Sequence, residues 1–109
     1  MKYLMTQEEF EQLLGVQPAP EGTVIPAFTV IYFTAGWCSA CKRLDMPALE
    51  AALPEANWLK CDVDQNNYTA GYCGIRSIPT FLVVKDKKVV GTLQSSSNDA
   101  VEKWVRSLQ

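Results

Sequence analysis

Residues 28–42 read Phe28-Thr29-Val30-Ile31-Tyr32-Phe33-Thr34-Ala35-Gly36-Trp37-Cys38-Ser39-Ala40-Cys41-Lys42. The first seven are dense in β-branched and aromatic side chains with almost no polar interruption, the pattern of a central strand buried on both faces. Two cysteines separated by two residues follow directly. From Ser39 the spacing of Cys41, Leu44, Ala48 and Leu49 predicts an amphipathic helix, kinked where Pro47 removes the hydrogen bond to the Arg43 carbonyl. A strand that hands over to a helix at a C-x-x-C pair puts the first sulfur beside unpaired backbone N–H groups, which favour a thiolate. Cys38 is therefore the candidate nucleophile. Cys41, one turn further in, is the candidate resolving thiol.

Working outward, Lys2 to Met5 reads as a short strand, and Thr6-Gln7-Glu8-Glu9 matches a capping box before a helix that carries Phe10, Leu13 and Leu14. Gly15 suits its end, and Gln17 to Pro26, with three prolines, reads as loop. Asn57 to Val63 is a second buried strand, and Asn66 to Tyr72 a short helix. Thr80 to Val84 and Val89 to Leu93 form a hairpin across Lys85-Asp86-Lys87-Lys88, although the turn lacks glycine. Ser97 or Asn98 caps a final helix whose Val101, Trp104, Val105 and Leu108 make one apolar stripe. This order calls for one α/β domain over residues 1–109, with a mixed sheet of about five strands covered by helices on both faces.

Composition narrows the chemistry. The chain has 109 residues, a formal net charge of −2, four cysteines and no histidine. Without histidine there is no Cys-His pair, no Ser-His-Asp triad and no His-ligated zinc. No Lys/Arg cluster offers a footprint for nucleic acid or an anionic membrane, so protein or small-molecule partners are expected. The polar, acidic start and the lack of a long apolar stretch lead to the expectation of a cytoplasmic protein. A monomer is expected. Half of a zinc site also looks like C-x-x-C, but Cys61 and Cys73, with eleven residues between them, do not form a matching second half. Cys61 reads as a small core residue; Cys73 is either inert or an exposed regulatory thiol near the Pro79 loop. Trp58 and Trp104 read as packing residues.

The stretch Phe33 to Lys42 resembles the thioredoxin family's F-x-A-x-W-C-G-P-C-K. Gly74-Ile75-Arg76-Ser77-Ile78-Pro79-Thr80 is similar to the family's G-I-R-x-x-P-T loop with its cis-proline, and Lys60-Cys61-Asp62-Val63-Asp64-Gln65-Asn66 resembles the strand end that places a lysine under the active site. The resemblance implies a thioredoxin fold and a thiol-disulfide oxidoreductase in which Cys38 attacks a substrate disulfide, Cys41 resolves the mixed disulfide and Trp37 shields the site. It further implies that Lys60 favours the thiolate, that Pro79 is cis, and that Trp37, Ile78 and Pro79 contact substrate, the Ile78 backbone pairing with an extended segment. No cofactor beyond the Cys38/Cys41 disulfide is implied. The partners are protein disulfides and an external reductant such as a thioredoxin reductase.

Several positions depart from the family pattern. Ser39-Ala40 replaces Gly-Pro between the cysteines, which leaves the direction of electron flow open, because C-x-x-C proteins span roughly 150 mV. Tyr32 stands where the family has a buried aspartate that assists the resolving cysteine, so mixed disulfides are expected to persist longer. Thr34 replaces a tryptophan, Ser95 a glycine, and Pro47 sits one position late. Two other readings stay open at this stage. One is a non-catalytic binding module that docks partners through the Pro79 surface; the other is an iron-sulfur or zinc protein bridged through Cys38 and Cys41 between subunits.

Overall fold

A computed structural model describes residues 1–109. Strands β1 (Lys2–Tyr3), β2 (Phe28–Thr34), β3 (Asn57–Asp62), β4 (Thr80–Lys85) and β5 (Lys88–Gln94) form one mixed sheet in the order β1-β3-β2-β4-β5. β1, β3 and β2 run parallel to one another, and β4 and β5 continue antiparallel. The helices are α1 (Gln7–Leu13), α2 (Met46–Ala52), α3 (Asn67–Tyr72) and α4 (Asn98–Leu108), with a 3₁₀ turn over Ala40–Arg43.

The two-faced burial expected of residues 28–34 follows from the central place of β2 between β3 and β4. Alternate side chains go to opposite layers, as a period of two requires. Val30 and Tyr32 join Trp58, Phe81, Val83, Leu49, Leu53, Val101 and Val105 beneath α2 and α4. Ile31 and Phe33 join Cys61, Leu82, Val84, Phe10, Leu13 and Ala70 beneath α1 and α3. The sheet is thus covered on both faces. Trp58 is buried, with its indole N–H donating to the Leu53 carbonyl at 3.1 Å.

Three local features differ from the sequence-based expectation. The helix expected from Ser39 is not kinked but interrupted: Leu44 is extended (ψ 140°), Asp45 caps a new helix by accepting the Ala48 N–H, and Pro47 lies in that helix's first turn. A proline there needs no hydrogen-bond donor, whereas inside one continuous helix its ring would clash with the preceding turn. In the capping box, Thr6 accepts the Glu9 N–H at 3.2 Å, but the Glu9 carboxylate reaches back to the Met5 N–H rather than that of Thr6. The β4–β5 turn is the two-residue loop Asp86-Lys87, both at positive φ (50° and 68°) without glycine. The handedness of strand twist demands that conformation.

Candidate active site

β2 ends at Thr34, and Ala35 to Trp37 turn the chain so that Cys38 lies over the end of the sheet. The Cys38 N–H donates to the Ala35 carbonyl at 3.1 Å, which closes this turn. Cys38 and Cys41 are joined as a disulfide, with 5.3 Å between their Cα atoms. Both are largely buried, and they belong to the same apolar cluster as Tyr32, Phe81 and Leu49. The Cys41 N–H donates to Cys38 Sγ at 3.1 Å. Since the helical segment here is one 3₁₀ turn and not a long helix, this local amide is what the structure offers a Cys38 thiolate; a large helix dipole is not available.

The interruption before α2 is held from a distant part of the chain. The Asn98 side chain accepts the Asp45 N–H and donates to the Asp45 carbonyl, both at 2.9 Å. Asn98 begins α4, so its carboxamide ties that helix to the segment that follows Cys41. In the sequence Asn98 appears only as a possible cap. The cap is Ser97, which accepts the Ala100 N–H.

Trp37 is 68% exposed, and its indole N–H donates to Asp64 Oδ2 at 2.8 Å. Asp64, whose own N–H is held by the Asp62 carboxylate at 2.9 Å, was not singled out from the sequence. The only signal for it was its place in the stretch after Lys60. Trp37, Val63, Ala70, Ile75 and Ile78 line an open, mainly apolar cleft of about 440 Å³, with Arg76 at its border. Gly74, at φ 71°, turns the chain out of α3 into the loop that leads there. Ile78 packs against the cluster that holds the two cysteines, the Ile78–Pro79 peptide is cis, and the Thr80 hydroxyl donates to the Ser77 carbonyl at 2.6 Å.

Strand register explains the position of Lys60. It pairs with Tyr3 on one side and Tyr32 on the other, and Tyr32 pairs in turn with Phe81, giving one row across the sheet. Tyr32 is 4% exposed and stacks on Phe81 with centroids 5.1 Å apart. The Lys60 ammonium sits 5.5 Å from the Tyr3 ring centroid, and Lys60 lines a second cavity together with Cys38 and Cys41. The remaining cysteines are separate. Cys61 is fully buried on the opposite face, and burial pushes its thiol up to about 12; Cys73, half-buried at the end of α3, is pushed up to about 11 by the same cause. No group of three or more Cys, Asp or Glu side chains is placed to hold a metal ion.

A redox-competent cysteine pair at the end of a buried central strand, framed by an exposed tryptophan and a cleft along the loop before β4, is the arrangement of a thiol-disulfide exchange protein. Comparison with known proteins gives the family. The thioredoxin family model matches residues 4–107. A thioredoxin of Geodia cydonium is 33% identical over 102 residues, covering 92% of this chain and 90% of its own. The mitochondrial thioredoxin-3 of Saccharomyces cerevisiae is 35% identical over 81 residues, 72% of this chain, and the match spans 64% of that relative's length. The crystal structure of yeast mitochondrial thioredoxin 3 in its oxidised form superposes with a TM-score of 0.81 at 29% identity, covering 98% of this chain and 94% of that one. The chain belongs to the thioredoxin family. Membership and a cysteine pair at bonding distance together support thiol-disulfide oxidoreductase activity.

Proposed function

We propose that this protein exchanges its Cys38/Cys41 dithiol with disulfides of protein substrates. The observation that carries the reading is the bonded cysteine pair whose first sulfur receives a backbone N–H at 3.1 Å, beside a cleft open to solvent. In the reducing direction the Cys38 thiolate attacks one sulfur of the substrate disulfide and expels the other as a thiolate. Cys41, deprotonated, then attacks Cys38 Sγ, releases the second substrate thiolate and leaves Cys38–Cys41 oxidised. The amide that points at Cys38 disperses charge on that sulfur and makes it the better nucleophile at neutral pH and the better leaving group in reverse.

Trp37 and Ile78 form the walls against which an extended substrate segment lies, and Pro79 fixes the loop that carries Ile78. The free edge of the Ile78 backbone supplies main-chain pairing. Lys60 contributes positive charge to the cavity beside the cysteines. Regeneration requires an external two-electron donor, such as a thioredoxin reductase. The free thiols of Cys61 and Cys73 suit a reducing, cytoplasmic setting.

Catalysis of insulin reduction by dithiothreitol tests this reading. The wild-type protein should accelerate precipitation of the insulin B chain, and Cys38→Ser should abolish the acceleration. No acceleration by the wild type would leave only a binding module that uses the same cleft, and equal acceleration by Cys38→Ser would overturn the assignment of Cys38 as the reacting sulfur.

A further inference from the structure

The turn that carries the cysteines is fastened at both ends. On the near side the Cys38 N–H donates to the Ala35 carbonyl at 3.1 Å. On the far side the 3₁₀ turn stops at Leu44, which is extended, and the Asp45 N–H finds no backbone acceptor. A continuous helix through residue 45 would satisfy that N–H internally and would need no outside partner. Here it donates to the Asn98 carboxamide oxygen, and the carboxamide nitrogen donates back to the Asp45 carbonyl, both at 2.9 Å. Asn98 is the first residue of α4, whose Val101 and Val105 are fully buried in the cluster that also holds Cys38 and Cys41. The loose end of the turn is thereby tied to a firmly packed helix.

The turn relies on this tie differently in the two redox states. In the oxidised protein the Cys38–Cys41 bond closes the turn covalently. Reduction removes that closure and leaves two backbone hydrogen bonds, Lys42 N–H to the Ser39 carbonyl at 3.2 Å and Leu44 N–H to the Cys41 carbonyl at 3.1 Å. A single 3₁₀ turn of this length does not hold its own shape in water. Reduction also gives Cys38 the charge of a thiolate, so the contact with the Cys41 N–H, 3.1 Å away, becomes charge-assisted. The direction of that N–H is set by the turn, which therefore matters most when its covalent clamp is gone. We infer that Asn98 is a positioning residue for the redox reaction: by holding Asp45 it keeps the Cys41 N–H aimed at Cys38 after the disulfide opens, and so favours the reduced form. The inference rests on Cys38 and Cys41 being the redox pair.

The test equilibrates wild type, Asn98→Ala and Ser97→Ala with mixtures of dithiothreitol and its cyclic disulfide at pH 7. The protein dithiol gives two electrons and two protons to the cyclic disulfide, which opens to dithiothreitol as the Cys38–Cys41 bond forms. Acid quenching, alkylation and peptide mass give the fraction of that bond. Ser97→Ala removes the cap of α4, the bond from the Ala100 N–H, without touching Asp45. Asn98→Ala should raise the equilibrium constant for disulfide formation about three- to tenfold, as expected for weakening one charge-assisted hydrogen bond. Ser97→Ala should leave it within about twofold, having no partner in common with the turn. By reciprocity, Asn98→Ala should lower the folding equilibrium constant of the reduced protein more than that of the oxidised protein by the same factor, whereas Ser97→Ala should lower both alike. A constant that Asn98→Ala leaves unchanged or lowers, or that Ser97→Ala raises equally, overturns the inference and leaves the redox pair standing. A wild type that forms no reversible Cys38–Cys41 disulfide in these mixtures overturns the redox-pair reading and the inference together.

Discussion

The four cysteines divide by environment, and that division can be measured. After reduction, the protein is treated with iodoacetamide at pH 8 and the modified sites are followed by mass spectrometry. Alkylation rate depends on the thiolate fraction and on the nucleophilicity of the thiolate, which rises with its basicity. An unstructured thiol of pKa about 8.5 is roughly one quarter ionised at this pH. Cys73, pushed up to about 11, is about 250-fold less ionised than that reference, and its greater basicity returns about tenfold, so it should react about 20-fold more slowly. The same arithmetic for Cys61, at about 12, gives roughly 60-fold slowing, to which complete burial adds a requirement for local opening. Cys38 should be modified first, at least as fast as the peptide reference. The Cys73 rate should keep climbing with pH through pH 10, because its thiol stays protonated below about 11. Modification of Cys73 at or above the peptide rate would refute the argument from burial and would restore the reading of Cys73 as a regulatory thiol.

Other consequences follow from single contacts. Asn98→Ala removes both hydrogen bonds to Asp45 and should cost about 1–2 kcal/mol in denaturant unfolding. Insulin reduction should slow with it, because the segment after Cys41 loses its tie to α4; unchanged stability would count against that tie. Asp64→Ala frees the Trp37 indole, with a stability loss of about 0.5–1 kcal/mol for an exposed bond and a measurable change in tryptophan fluorescence, whereas Asp64→Asn, which keeps an acceptor, should resemble wild type. Tyr32→Phe keeps the Phe81 stack and removes a hydroxyl that makes no hydrogen bond within the protein, so unfolding free energy should move by less than about 1 kcal/mol. Thermal stability should fall as pH rises above the ordinary thiol range. The unfolded chain then loses protons from Cys61 and Cys73 that the folded chain retains until about 11 to 12, so proton loss favours unfolding.

The fold was legible wherever burial leaves a periodic trace. The uninterrupted run from Phe28 to Thr34 identified the central strand, since a strand sandwiched between two helical layers has no polar face to alternate with. The apolar stripe of Val101 and Val105 likewise placed α4. What escaped was contact between residues far apart in sequence. Pro47 reads from the sequence as a kink in one helix, whereas it opens a new one, and Asn98, more than fifty residues on, satisfies the backbone groups exposed at Asp45 where the two segments part. The turn at Asp86-Lys87 shows no glycine, and its left-handed conformation is imposed by the pairing of Lys85 with Lys88.

The site was legible in its chemistry more than in its electrostatics. Cys38 and Cys41 could be named from spacing, yet the expected long-helix dipole is replaced by one amide at 3.1 Å. Lys60 was placed beside the cysteines by a family pattern, and the register of β1, β3 and β2 supplies the physical reason. Asp64 acquires a partner only when the turn after β2 brings Trp37 across to it.

The division of labour between the two redox sulfurs is tested most directly by stalling the reaction midway. Cys41→Ser, incubated with an oxidised protein substrate, should accumulate a mixed disulfide that mass spectrometry maps to Cys38, while Cys38→Ser should accumulate none. Adducts that map to Cys73, or that form equally well on Cys38→Ser, would contradict the assignment of Cys38 as the attacking sulfur.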